Sequence, residues 1–318
     1  MARAAIIVST VVLLGLLAAL LWLGGPDTRP RPVTVPTTQA AAAPFVIALV
    51  PEYDVFALRR NYRGLADYLS PRVGRQVEIV TLSDYEAVLT EFSGKRIEAA
   101  VVGSLVAVLA MDRCGARPLV RPQTRGTANY CGVLFVRDGS PIRSLSDLGS
   151  GKLAMVKTTT AGSLFPLAEL HRLGSQPTQL DDPRLMWMGT FDDVITAVMT
   201  GAADVGGVKD LRLDAFTRGH PEARIRVLAR GPAVPNNTML VAPDVAEELA
   251  TTLKATLLGM GTDPHAKTAL SSLGIDGFIP TSPREFGPVF DLIEAAGEGW
   301  EMVGVSGPPP RRPAGKGD

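Results

Sequence analysis

Cysteine and histidine are scarce, with two and three respectively in 318 residues. A zinc site takes about four such ligands at close spacing, and there is no Cys-x-x-Cys pair, so neither a metal nor another cofactor is expected. Cys114 and Cys131 can pair in an oxidising compartment or stay as thiols; the Cα separation that decides between them is not written in a sequence. Net charge is absent too, 32 basic residues balancing 32 acidic ones. Nucleic acid is thereby excluded as a partner, and any anion site has to be local. No Ser/His/Asp arrangement or paired-carboxylate motif stands out, so no catalytic residues are assigned and no enzyme is expected. Apolar residues, by contrast, are plentiful at 46%. That excludes a disordered chain, and the length suffices for two lobes with separate cores, since one core seldom grows past about 250 residues.

Residues 4–23 (AAIIVSTVVLLGLLAALLWL) carry no charge. About 20 apolar residues cover the hydrocarbon core of a bilayer, so residues 1–25 read as one transmembrane helix, with Trp22 suited to the interface. Pro26 makes a poor cleavage junction and no cysteine follows the run. A retained anchor is therefore expected, with a cleaved leader as the alternative and a lipoprotein excluded. Residues 26–44 form a Pro- and Ala-rich linker, and residues 306–318 (SGPPPRRPAGKGD) a tail expected to be disordered by composition.

Between them strand and helix patterns alternate. Buried-strand runs stand at 45–50, 97–102, 152–156 and 203–208, and helical patterns at 56–69, 85–92, 164–173, 192–200 and 245–258. The order predicts an α/β protein with mainly parallel sheets, in two lobes. Lobe 1 is expected over 45–135, lobe 2 over 136–234 and a return to lobe 1 over 235–305, the chain crossing near Phe135 and near Val234.

The strongest local signal is Lys157-Thr-Thr-Thr-Ala-Gly-Ser163, after the strand that ends at Val156. Pro166 is tolerated only in the first turn of a helix, so the helix starts near Gly162 or Ser163 and the threonines lie in the loop before it. Unpaired amides, a helix dipole and hydroxyls there suit an anion, and Gly162 allows close approach. A Thr-rich N-cap without ligand satisfies the same residues. Ser104 can cap the helix that follows strand 97–102 or reach a ligand. Tyr53 stands just past the first strand, at the carboxyl end of a sheet, where open α/β folds bind ligands.

The chain resembles the phosphate/phosphite/phosphonate-type substrate-binding proteins of ABC importers. Thr159-Thr160-Ala161-Gly162 followed by Pro166 is similar to that family's Ser-Thr-Ser-Gly turn, with Ala161 lacking the second hydroxyl. Asp84-Tyr85 and Asn129-Tyr130 resemble segments whose tyrosines reach the ligand, and Ser140-Pro-Ile-Arg-Ser-Leu-Ser-Asp-Leu148 resembles the opening of the second lobe. Gly201-Ala-Ala-Asp204 and the run from Leu273 to Phe278 also fit. One departure is Gly189-Thr190-Phe191-Asp192, where the family often has a ligand-binding histidine. The resemblance implies a two-lobe type II periplasmic-binding-protein fold, with the lobes closing on a small oxyanion: phosphonate, phosphite or phosphate. It implies an ABC permease as partner, or, alternatively, a sensory membrane partner, and a periplasmic location for the binding domain. The candidate ligand residues are Tyr85, Tyr130, Thr159, Thr160, Ala161, Gly162 and Lys209 from the resemblance, with Tyr53 and Ser104 added from their positions at strand ends. Lys209, with Lys157 as a possible helper, replaces the missing positive partner; the alternative is a solvated lysine. Tyr85 and Tyr130 can equally be core aromatics.

Overall fold

The computed structural model describes residues 43–50, 55–175 and 179–312. The apolar run 4–23 and Tyr53 lie outside the described residues, and among those described no helix is long and apolar enough to cross a membrane.

Two sheets carry the fold. The first has the order β11-β4-β10-β3-β1-β2, built from β1 (Phe45–Leu49), β2 (Val77–Thr81), β3 (Ala99–Val102), β4 (Arg117–Gln123), β10 (Thr238–Val241) and β11 (Gly277–Pro280). The second has the order β7-β6-β8-β5-β9, from β5 (Asn129–Arg137), β6 (Leu153–Val156), β7 (Leu185–Met188), β8 (Val205–Lys209) and β9 (Ile225–Pro235). The sheets are mixed rather than mainly parallel. β1 pairs in parallel with β2 and β3, and β6 with β7 and β8, but every pairing made by β4, β5 and β10 is antiparallel. Those strands flank the places where the chain changes sheet, so they enter from the opposite end.

The chain leaves the first sheet after Gln123 and joins the second at Asn129. Phe135 therefore lies inside the second sheet, and the first crossing falls at 124–128, upstream of the expected position. It was hidden by β4, whose Pro118 and Pro122 read against a strand; both sit where β4 meets antiparallel neighbours of irregular or peripheral register. The return runs through Asn236 and Asn237.

Helices α1 (Val55–Val73), α2 (Tyr85–Ser93) and α3 (Ser104–Cys114) connect strands of the first sheet, and α4 (Phe165–Arg172), α5 (Phe191–Thr200) and α6 (Asp210–Gly219) belong to the second. Their ends follow local chemistry. Asp84 caps α2 by accepting from the Ala87 amide, and Thr190 with Asp193 forms a capping box on α5. Gly201 ends α5 at φ +80°, a left-handed value that glycine adopts without a Cβ clash. After β10 follow α7 (Glu247–Gly259), α8 (Lys267–Leu273) and α9 (Gly287–Ala296). The expected return to lobe 1 holds only in part, because α9 packs against α4 of the second lobe. Ser306 and Pro308, in the tail expected to lack structure, accept hydrogen bonds from Arg113 at 2.7 Å.

Candidate ligand cleft

Strand β8 sets the site. Its Gly206 and Gly207 leave room for close packing on both faces: a Cβ on Gly206 would meet Phe135 and Val194, and one on Gly207 would meet Pro166 at 2.7 Å. Helices α4 and α5 therefore press tightly against the strand, and the turn before α4 is held at its carboxyl end, where Lys209 follows.

That turn begins with Thr158, buried and left-handed at φ +57°, an uncommon conformation for a β-branched residue. Its amide donates to the Val303 carbonyl at 2.7 Å and its hydroxyl to that of Gly304 at 2.9 Å. Thr159 is the cap: its Oγ1 accepts from the Gly162 amide at 3.0 Å and donates to the Val156 carbonyl at 2.9 Å. Residues Thr160–Leu164 wind as one wide turn into α4, and Pro166 occupies the helix's second position, as its ring requires. The amides of Ser163 and Leu164 bond the Thr159 carbonyl. The amides of residues 162–164 are thus turned inward rather than offered to a ligand. Gly162 is a packing glycine, since a Cβ there would meet Thr159 Oγ1 at 2.6 Å and Phe191 at 3.0 Å. Ala161 is fully buried, its Cα close over Gly132. Thr160 differs: it is 3% exposed, and its hydroxyl is buried with no hydrogen-bond partner among the described residues.

Lys209 is not a solvated lysine. It is 3% exposed, and its Nζ donates to Asn237 Oδ1 at 2.7 Å. The ammonium also stands 4.8 Å from the ring centre of Tyr130 and 5.8 Å from that of Phe191. Aromatic faces attract a cation at such distances. Phe191, in the segment that lacks the expected histidine, touches both the Gly162 turn and Lys209. The neighbouring carboxylate, Asp210, accepts from Arg230 at 2.6 Å and from the amides of Cys131 and Leu211. Arg230 is held above its ordinary pKa first by its hydrogen bond with Cys131 and then by Asp210.

Ser104 does not cap α3; Gly103 occupies the cap position, and Ser104 is the helix's first residue. Its hydroxyl donates to the Pro235 carbonyl at 2.6 Å and lies 3.1 Å from the Tyr130 hydroxyl. It thus ties α3 of the first lobe to β9 and β5 of the second. Tyr85 is buried at the start of α2, beyond the carboxyl end of β2. Lys157 falls elsewhere: it is exposed, with its Nζ over the Trp187 ring at 5.3 Å. Cys114 and Cys131 are free thiols, Cys114 beside Ser93 and the Leu89 carbonyl, Cys131 beside Arg230.

Lys209 and Asn237 line a cleft of about 580 Å³ between the lobes, together with residues of both crossings. Sequence reasoning missed Asn237, Arg125, Arg212 and Arg218, all of which line it. The Asn236-Asn237 pair after Pro235 is the one signal that marks a crossing; the arginines come from a turn and from α6, an element without a clear apolar period.

A family model described as ABC transporter, phosphonate, periplasmic substrate-binding protein matches residues 47–286. The chain belongs to this family. The phosphonates-binding periplasmic protein of Escherichia coli K12 is 21% identical over 243 residues, covering 74% of this chain and 71% of that protein. Among solved structures, a binding-protein component of an ABC phosphonate transporter from Pseudomonas aeruginosa superposes with a TM-score of 0.71 at 17% identity, over 82% of this chain and 89% of that one. PhnD1 from Prochlorococcus marinus, in complex with methylphosphonate, gives 0.70 at 16% identity, over 80% and 98%. At these identities the structures establish the two-lobe α/β periplasmic-binding-protein fold. As a member of the family, this phosphonate-type binding protein is a solute-binding component of an ABC transporter.

Proposed function

We propose that the chain captures the oxyanion head of a phosphonate at the Lys209 side of its cleft and delivers it, lobes closed, to an ABC permease. The observation that carries this reading is the buried ammonium of Lys209, enclosed by Tyr130, Phe191 and Asn237 in the wall of the cleft. A buried charge is costly unless well partnered, and an anion entering the cleft would supply Lys209 with a charged partner in place of a neutral one. Thr160 adds a buried hydroxyl with no partner among the described residues, while the hydroxyls of Tyr130 and Ser104 bond each other across the lobes. Thr159, Ala161 and Gly162 shape the turn rather than touch the ligand, and Tyr85 is buried in the first lobe's core. Closure is a hinge motion at the two crossings, 124–128 and 236–237, which already line the cleft.

No catalytic step is assigned, and family membership favours import over signalling. The apolar run 4–23 supports a form tethered in the inner membrane with the binding lobes in the periplasm. A tether of that kind keeps the receptor concentrated near its permease. Fractionation of the full chain, with the mass of its N-terminal peptide, separates an anchored from a processed form.

The test is thermal unfolding of residues 43–318 against phosphate, phosphite, methylphosphonate, 2-aminoethylphosphonate and sulfate. A ligand at 100 times its Kd adds about 2.7 kcal/mol. A shift by a phosphorus oxyanion that Lys209→Met abolishes supports the reading; no shift by any of them counts against it.

A further inference from the structure

Resting on the capture reading above, we infer that the natural ligand is an organic phosphonate or phosphate monoester with a bulky apolar body, not a bare oxyanion or methylphosphonate. The inference starts from the size of the cleft. A –PO₃ head fills the space of a few waters, at roughly 30 Å³ each. The cleft holds about 580 Å³, within the range typical of sites for whole organic molecules. The Lys209 ammonium is already enclosed by Asn237, Tyr130 and Phe191, so a head group beside it leaves most of that volume unfilled.

The walls of that volume are mostly apolar. Leu58 and Tyr62 of α1 and Phe278 of β11 line the first lobe's side. On the other side α6 starts directly after Lys209 and lines the cleft with Leu211 and Ala215 among the charged Arg212, Asp214 and Arg218. Leu213, on the opposite face, is buried against the second lobe. At 1.5 Å per residue, Arg218 sits about 13 Å along the helix from Lys209. No group as small as methylphosphonate spans that distance. A ligand with its head at Lys209 and an apolar or aromatic body passing Leu211 and Ala215 packs that body against the apolar wall of the first lobe.

The experiment compares methylphosphonate, phenylphosphonate, octylphosphonate and phenyl phosphate by calorimetry on residues 43–318, with Ala215→Trp and Lys209→Met variants. Ala215 is exposed, so a tryptophan there fills the cleft without entering the core. At least tenfold tighter binding of the phenyl or octyl compounds than of methylphosphonate is expected. Ala215→Trp is expected to erase that advantage while leaving the methylphosphonate affinity within twofold, which also shows that the variant is folded. Phenylphosphonate against phenyl phosphate tells which of the two linkages the head prefers. Equal or weaker binding of the large compounds, with methylphosphonate binding still dependent on Lys209, overturns this inference and leaves the capture reading intact. Binding of none of the four, or binding indifferent to Lys209→Met, removes both.

Discussion

The ammonium of Lys209 donates a 2.7 Å hydrogen bond to Oδ1 of Asn237, joining the end of β8 to the segment by which the chain returns to the first sheet. The bond makes the ligand's positive partner and one hinge crossing parts of a single contact. An anion arriving at Lys209 competes with, or adds to, the neutral amide that now occupies it. Asn237→Leu removes one acceptor from a buried charge, and we expect the ligand-free protein to lose about 1–3 kcal/mol. Lys209→Met keeps the length of the side chain and removes the charge, so stability changes less, while affinity for a phosphonate falls by roughly 10- to 150-fold, the equivalent of one charged hydrogen bond at about 1.5–3 kcal/mol. Urea unfolding and calorimetry on the two variants read both effects. An Asn237→Leu protein as stable as the parent would sink this account of the pair.

Thr159 and Thr160 are neighbours with opposite duties. The Thr159 hydroxyl makes two bonds within the turn, so Thr159→Val should cost about 0.5–2 kcal/mol, as for a lost helix cap. The Thr160 hydroxyl is buried and unpartnered among the described residues. Thr160→Val therefore leaves stability unchanged or raises it by up to about 1 kcal/mol, while ligand affinity drops about tenfold. The informative readout is the crossing of signs between stability and binding; a loss of stability at Thr160 as large as at Thr159 would mean the hydroxyl serves the fold.

What could be read from the sequence was what depends on neighbours along the chain. The turn before α4 was legible because Pro166 restricts where a helix can begin, and β1 and β6 because their apolar runs end at turn residues. The pairing of Lys209 with Asn237, of Ser104 with Pro235 and of Phe191 with Lys209 was not, since each depends on which strands lie side by side across two sheets. Ser104 illustrates the difference: local rules offered a helix cap, and the tertiary fold spent the hydroxyl on the opposite lobe instead. β4 escaped for the converse reason, its prolines arguing locally against a strand that sheet pairing nonetheless recruits.

Asp263 gives an acid-sensitive contact on the first lobe. Its carboxylate accepts from the His265 amide at 2.9 Å, the Tyr68 hydroxyl at 2.8 Å and Arg72 at 3.1 Å. These hold its pKa below the ordinary value, the His265 amide most, then the Tyr68 hydroxyl, with the charge of Arg72 adding to them. A carboxyl depressed in the folded state stabilises the protein above the unfolded value, near 3.9 for Asp, and loses that contribution as pH falls through the lower folded value. Asp263→Asn is thus expected to lower the midpoint at pH 7 and to leave it less dependent on pH between about 5 and 3. Thermal scans across that interval check it, and parallel acid limbs for the two proteins would count against the contact.

The segment after α9 supplies a further link between the lobes. Val303 and Gly304 accept both donors of Thr158 in the second lobe, while Ser306 and Pro308 accept from Arg113 on α3 of the first. The two sets differ in burial: Thr158 is buried in a strained left-handed conformation, whereas the Arg113 bonds are exposed. A graded response to truncation follows. Ending the chain after Val305 removes the exposed Arg113 bonds and the half-buried bond from the Trp300 indole to the Gly307 carbonyl, and is expected to cost about 1–2 kcal/mol. Ending it after Met302 orphans the amide and hydroxyl of Thr158 at about 1–3 kcal/mol each, removes the fully buried Val303, and leaves the left-handed backbone unsupported. We expect a loss of at least about 3 kcal/mol for the longer deletion, measured by urea unfolding. Because Thr158 directly precedes the Thr159–Gly162 turn, phosphonate affinity should fall with it. A longer deletion no worse than the shorter would show that the turn holds its shape unaided.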